Sequence, residues 1–145
     1  AHVFRVRVSG VPDTKTAVQL ARAVVNAPLT KTAVFGNDPN VGRILQALGA
    51  ACGRLSLDLP RDRLTMDIGG IRVFGDGVFR LNAAGEKALS SYFKSKELPI
   101  PTPGWPLHEE RAEIELNLGC GDASAWVTGS DLSGEYVIIN ADYRT

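Results

Sequence analysis

The richest run of functional side chains lies between Lys31 and Arg43, with Thr32, Gly36, Asn37, Asp38, Pro39, Asn40 and Gly42 between them. Gly36 and Asn37 tolerate positive φ and suit a turn. Asp38 then serves as an N-cap with Pro39 at the first helical position, and Ile44, Leu45 and Leu48 continue as an apolar stripe at helical spacing. A helix that starts this way presents free N–H groups and the positive end of its dipole, with Arg43 nearby. The chemistry on offer is an anion or carboxylate pocket. The same residues also make a plain capped strand-to-helix connection, and Asp38 would repel an anion.

The remaining functional groups point to less. Glu109, Glu110, Glu113 and Glu115 form a carboxylate group in sequence, but alternation puts Glu113 and Glu115 on one strand face of the kind usually left to solvent. Cys52 and Cys120 make no CxxC, and with only two histidines the composition argues against a metal site. They read as reduced thiols of a cytoplasmic protein, although spacing leaves a disulfide between them open. No serine sits on a Gly-x-Ser-x-Gly elbow, and Thr65 in Leu64-Thr65-Met66-Asp67 falls inside a strand pattern. Gly69-Gly70 lacks the spaced glycines and following helix of a phosphate cradle. Pro99, Pro101, Pro103 and Pro106 could be a ligand for a proline-recognising domain, but read better as a surface connector.

The 145 residues suit one domain with a real core, at 44% hydrophobic and 22% charged residues. The formal net charge is zero, so electrostatics favours neither nucleic acid nor an anionic membrane. No apolar run approaches the ~18 residues of a membrane span. The first residues form a strand pattern rather than a signal peptide, and the absence of an initiator Met suggests a processed or excerpted chain.

These groups must be carried by alternating elements. Val3 to Val8 reads as a half-buried strand, Ser9 to Asp13 as a turn, and Asp13 caps a helix to about Asn26 with Ala17, Leu20, Ala21, Val24 and Val25 inward. Lys31 to Phe35 reads as a second strand, followed by the helix described above, with Gly53 at its C-terminal end. Thr65 to Ile68 and Ile71 to Phe74 form a hairpin about Gly69-Gly70. Gly75-Asp76-Gly77 makes a further turn, Val78 to Leu81 a brief strand, and Asn82 caps a helix to about Lys96 with Ala84, Ala88, Leu89 and Phe93 inward. Arg111 to Leu118 is the clearest strand, with Ala123 to Thr128 as its expected hairpin partner. Leu132, Tyr136 and Ile139 share a helical face, so the last element reads as helix. The fold class expected is α/β (α+β), a two-layer roll of a mixed sheet packed on helices.

Two segments go further. Lys31-Thr32-Ala33-Val34-Phe35-Gly36-Asn37-Asp38-Pro39-Asn40-Val41-Gly42-Arg43 resembles the KTAxxGxDPNWGR segment of the ornithine acetyltransferase (glutamate N-acetyltransferase) family. Asp131 to Thr145, DLSGEYVIINADYRT, resembles that family's extreme C-terminus, DLTxxYVxINADYRT. Ala21 to Leu29 and Ile68 to Phe74 also fit in order, so the resemblance covers nearly the whole chain. Val41 stands where the family usually has Trp, and Ser130 where Cys is common, which hints at a divergent member serving a specialised pathway.

The resemblance implies an N-terminal-nucleophile acetyltransferase, made as a precursor that cleaves itself before a Thr. It moves an acetyl group from N-acetylornithine to glutamate, releasing ornithine, by ping-pong chemistry through an acetyl-Thr and without a cofactor or metal. The α and β chains stay together, commonly as a heterotetramer of two of each. Ala1 resembles the end of the family's GEGA segment. The nucleophilic Thr, the α chain and a substrate-binding Glu would then lie outside residues 1–145. The chain reads as the C-terminal domain of the β chain, with no catalytic residue of its own and no activity alone. Site residues carry over at two positions, Asn140 and Thr145, as contacts to the amino-acid substrate. An Asn amide can bond both ends of an amino acid, and the Thr145 hydroxyl and carboxylate can bind an α-ammonium. Without the resemblance, Asn140 would be a helix C-cap and Thr145 a frayed end. The alternatives are a non-catalytic amino-acid-binding or assembly domain, or a related N-terminal-nucleophile amidase or aminopeptidase.

Overall fold

The computed structural model describes residues 1–99 and 109–141. In chain order the elements are β1 (Val3–Val11), α1 (Thr14–Asn26), α2 (Pro28–Phe35), α3 (Val41–Arg54), β2 (Thr65–Ile68), β3 (Ile71–Gly75), β4 (Val78–Phe79), α4 (Ala83–Ser95), β5 (Arg111–Asn117), β6 (Ala123–Ser130) and α5 (Gly134–Ala141). The strands form one mixed, open sheet in the order β4-β3-β2-β5-β1-β6, an α+β arrangement of the expected class.

Period-two patterning sorts the sheet's two faces. Val6 lies beside Ile114 in the parallel β1–β5 pair, and Ile114 beside Ile68 in the antiparallel β5–β2 pair. These residues, with Phe4, Val8, Leu116 and Met66, are buried beneath the helices. Each such side chain contributes about 1.5–3 kcal/mol by leaving water, and this one-sided burial fixes the register, since a slip of one residue would turn the apolar set outward. The opposite face is polar. Glu113 accepts from Arg5 Nε and Arg111 Nε, each at 2.7 Å, and Arg72 grips Asp67 with two nitrogens. Glu115 on that face is exposed, as alternation predicts.

The helical layer begins with α1, capped by Asp13, which accepts from Thr16 N at 2.7 Å. It lies on β1 and β6 with Ala17, Leu20, Ala21, Val24 and Val25 inward, and packs on α3. The approach to β6 is close at Gly129, where a Cβ would stand 2.4 Å from Val25 Cγ1. The tight β2–β3 turn uses Gly69 and Gly70, both at positive φ. On α4, Asn82 caps the first turn and only Leu89 and Phe93 are buried. Ala84 and Ala88 are exposed, so the inward stripe is narrower than expected.

Three expectations are corrected. Lys31 to Phe35 is helical, not a strand: Pro28 occupies a first-turn position of α2, and Thr30, Ala33 and Val34 are its buried residues. A modest β preference yields to that proline start and to tertiary packing. The helix after the motif starts two residues later than expected, because Asn40 rather than Asp38 is the N-cap, and it runs past Gly53 to Arg54. Finally, β6 is not a hairpin partner of β5. It pairs antiparallel with β1, which separates the two. The turn at Cys120 reaches across instead, its N–H donating to Gly10 O at 2.7 Å. The expected connector at Pro101, Pro103 and Pro106 lies outside the described residues.

Candidate functional site

The Lys31–Arg43 motif forms the end of α2, a connecting turn and the start of α3. Asn37 is the residue that requires the turn, at φ +54. Asn adopts this conformation more readily than most non-glycine residues. Downstream, Asn40 Oδ1 accepts from Arg43 N at 3.4 Å, and Asn40 Nδ2 donates to Asp38 Oδ2 at 3.4 Å. Arg43 reaches back toward Thr32 Oγ1 at 3.5 Å. Asp38, Asn40 and Arg43 therefore brace the motif internally, and none of them bonds to the C-terminal segment among the described residues. Asp38, Asn40 and Gly42 also line an open cleft of about 730 Å³, whose far wall includes Glu86, Lys87 and Ser90 of α4. Asp38 on one side and Glu86 on the other put a carboxylate on each side of the cleft, which weakens the case for an anion pocket.

The motif meets the C-terminal segment elsewhere. His2, the residue before β1, is buried. Its Nδ1 lies 2.8 Å from Asp131 Oδ2, and its Nε2 lies 3.1 Å from both Asn37 Oδ1 and Phe93 O. A main-chain carbonyl only accepts, so Nε2 carries a proton. A second proton lies on the Nδ1–Oδ2 axis, and ring and carboxyl together form a neutral pair whichever atom holds it. The backbone repeats the link, with Asp131 N donating to His2 O at 3.1 Å. Lys31 Nζ donates to Ser130 O at 2.7 Å, and Ser90 Oγ to Asn37 O at 2.7 Å. Ser130 and Asp131, where β6 hands over to the tail, are thus held directly by Lys31 of α2 and by His2, and through the His2 ring by the motif turn and α4.

Beyond that root the described part of the tail, to Ala141, is bare. Helix α5 has no buried residue, and Tyr136, Val137, Ile138 and Ile139 are exposed. Asn140 sits on it, facing solvent, with Nδ2 donating to Tyr136 O at 2.8 Å one turn back. Among the described residues its Oδ1 has no partner. Thr145 lies outside the described residues. Asn140 is therefore presented on a short helix whose apolar side lacks cover, and the structure does not bring it to the cleft.

Sequence reasoning missed His2 and the roles of Asn37 and Asp131. His2 read as an ordinary strand residue, and its partner is 129 positions away. No local spacing can announce such a pair.

Comparison with known proteins supplies the context. A model of the ArgJ family matches residues 1–145. The chain is 39% identical over 143 residues to the arginine biosynthesis bifunctional protein ArgJ of Dehalococcoides mccartyi, covering 99% of this chain and 30% of that protein. It is 35% identical over 143 residues to the like-named protein of Listeria monocytogenes, covering 99% of this chain and 31% of that protein. The crystal structure of the like-named protein from Bacillus halodurans aligns with a TM-score of 0.80 and 26% identity, over 99% of this chain and 58% of that chain. The chain thus spans 30–31% of the length of these two curated relatives.

Proposed function

The chain belongs to the ArgJ family, and we propose that it forms the C-terminal domain of the β chain of an acetyltransferase. In this reading a Thr outside these residues attacks the acetyl carbonyl of N-acetylornithine. The amide C–N bond breaks, ornithine leaves with the proton taken from the Thr hydroxyl, and an acetyl-Thr ester remains. The amine of glutamate then attacks the ester, giving N-acetylglutamate and restoring the hydroxyl. This chain contributes no reacting group. Its part is to hold the amino-acid substrate through Asn140 and Thr145, working beside the α chain and the remainder of the β chain in a heterotetramer.

The order-preserving family match along the whole chain carries this reading. The geometry supports it in two ways. Among the described residues, the Asn140 amide keeps Oδ1 free to accept from an ammonium and a second N–H free to donate to a carboxylate. The exposed apolar residues of α5 also suit a helix that is covered only when the rest of the enzyme is present. We place the protein in the cytoplasm, a setting that suits the two free thiols of Cys52 and Cys120. No helix among the described residues is long and apolar enough to cross a membrane.

The test is an exchange assay on the full-length precursor with isotopically labelled N-acetylornithine. The expected result is label in N-acetylglutamate, and none when residues 1–145 are used alone. Release of free acetate without transfer would instead indicate an amidase. A protein that binds the amino acid and turns nothing over would be an assembly domain.

A further inference from the structure

We propose that the buried His2–Asp131 pair is the anchor that sets the position of the substrate-binding tail, making His2 a positioning residue for the acetyl acceptor and donor. This inference rests on the role given above to Asn140. Ten residues run from Asp131 to Asn140 inclusive, and α5, which makes up most of that length, has no buried residue. Among the described residues, the segment from Asp131 to Ala141 is tied to the fold at its root. There the His2 and Asp131 side chains are 0% and 5% exposed. The imidazole is the hub: one nitrogen holds the root carboxylate, while the other faces the Asn37 amide oxygen and the Phe93 carbonyl. The ring thereby ties the tail to the motif turn and to α4 at once. Lys31 adds a second tie on the adjacent Ser130 carbonyl.

The geometry makes this point a lever. An eight-residue helix is about 12 Å long, so a 10° rotation at its root moves its far end by about 2 Å. A shift of that size breaks a hydrogen bond between the Asn140 amide and a bound amino acid, which holds only within about 3.2 Å, and so weakens substrate binding. A bond between a buried ring and a carboxylate resists that rotation better than an exposed one, because water does not compete for it and breaking it strands a polar group. Sequence position explains why the device is needed. The antiparallel β1–β6 ladder brings residues 2 and 131 side by side although they lie 129 positions apart in the chain, and the His2–Asp131 bond closes that ladder where the tail departs.

The experiment uses the full-length protein carrying His2→Gln, Asp131→Asn, or both. Each single variant is expected to raise KM for the amino-acid substrate about tenfold or more while kcat changes less than about threefold. The double variant, whose two amides can bond each other, is expected to recover most of that loss. Hydrogen exchange gives a second readout that needs no activity. Amides 132–141 should exchange about tenfold faster in His2→Gln, with those of β1 and β5 unchanged. Should a buried substitution prevent folding, Lys31→Met removes only the exposed tie to Ser130 and should speed exchange of the same amides about threefold. Wild-type KM together with wild-type tail exchange in the folded variants would overturn the anchor. A wild-type enzyme that transfers no acetyl would overturn the acetyltransferase reading, while tail exchange would still decide the anchor.

Discussion

The strand that carries the tail packs along α1 and approaches it tightly at Gly129, and that close approach predicts a measurable coupling. In Gly129→Ala the new methyl would stand 2.4 Å from Val25 Cγ1. Val25 is buried and β-branched on a helix, so it has little rotamer freedom with which to retreat. Overpacking costs about 1–3 kcal/mol, and replacing a strand glycine with alanine returns about 0.5–1 kcal/mol, which leaves a net loss of roughly 1–2 kcal/mol. Val25→Ala alone deletes two methyl groups at about 0.8 kcal/mol each, with a cavity penalty added. In the double variant the methyl introduced at position 129 occupies space that Val25 vacated. The two losses should therefore fall short of their sum by about 1–2 kcal/mol. Urea unfolding of the four proteins, followed by far-UV circular dichroism, measures this directly. Additivity within about 0.5 kcal/mol would refute the reasoning. It would mean that α1 does not bear on β6 at this point.

Three further outcomes follow from single groups. Thr30 is buried and its hydroxyl finds no partner among the described residues, so Thr30→Val should stabilise the fold by about 1 kcal/mol in the same urea assay; a loss of stability would show that the hydroxyl is bonded. The Asp13 carboxyl is held below its usual range, chiefly by the Thr16 N–H and then by the Thr16 hydroxyl. Its stabilisation is present above the ordinary carboxylate value and disappears as pH falls through the lowered one. The stability gap between wild type and Asp13→Ala should therefore close on acidification, and a gap independent of pH would contradict the cap. Burial, and secondarily the nearby Cys120, pushes the Cys52 thiol up. Iodoacetamide should modify exposed Cys120 in the folded protein and leave Cys52 intact until unfolding; equal rates by mass spectrometry would contradict the packing.

The parts of the fold written in periodicity were legible. β1, α1, β5 and the Gly69-Gly70 hairpin follow from alternation, a capping Asp and paired glycines, all of them local signals. The errors arose where non-local packing decides. Lys31 to Phe35 carries β-favouring residues, yet Pro28 starts a helix there and α3 covers it. β6 looked like a return strand for β5, but β1 offered a longer partner, with eight paired positions from Val3 to Val11. Site reading divided in the same way. Asn140 enters as a proposed substrate contact through motif resemblance alone. His2, Asn37 and Asp131 form a site only in space, because a His at one end of a chain and an Asp at the other carry no shared pattern. The Lys31–Arg43 motif acts as a brace rather than a pocket: Asp38 and Arg43 bond within it, Lys31 ties Ser130, and its turn amide meets the ring that holds the tail.

The most direct test of the account is the Michaelis constant of Asn140→Ala in the full-length enzyme. A lost hydrogen bond to a charged substrate group is worth about 1.5–3 kcal/mol, or roughly 10- to 100-fold in affinity. We expect KM for glutamate and for N-acetylornithine to rise by that factor while self-cleavage of the precursor proceeds as in wild type. Wild-type Michaelis constants for both substrates would contradict the placement of this chain's tail in the amino-acid site.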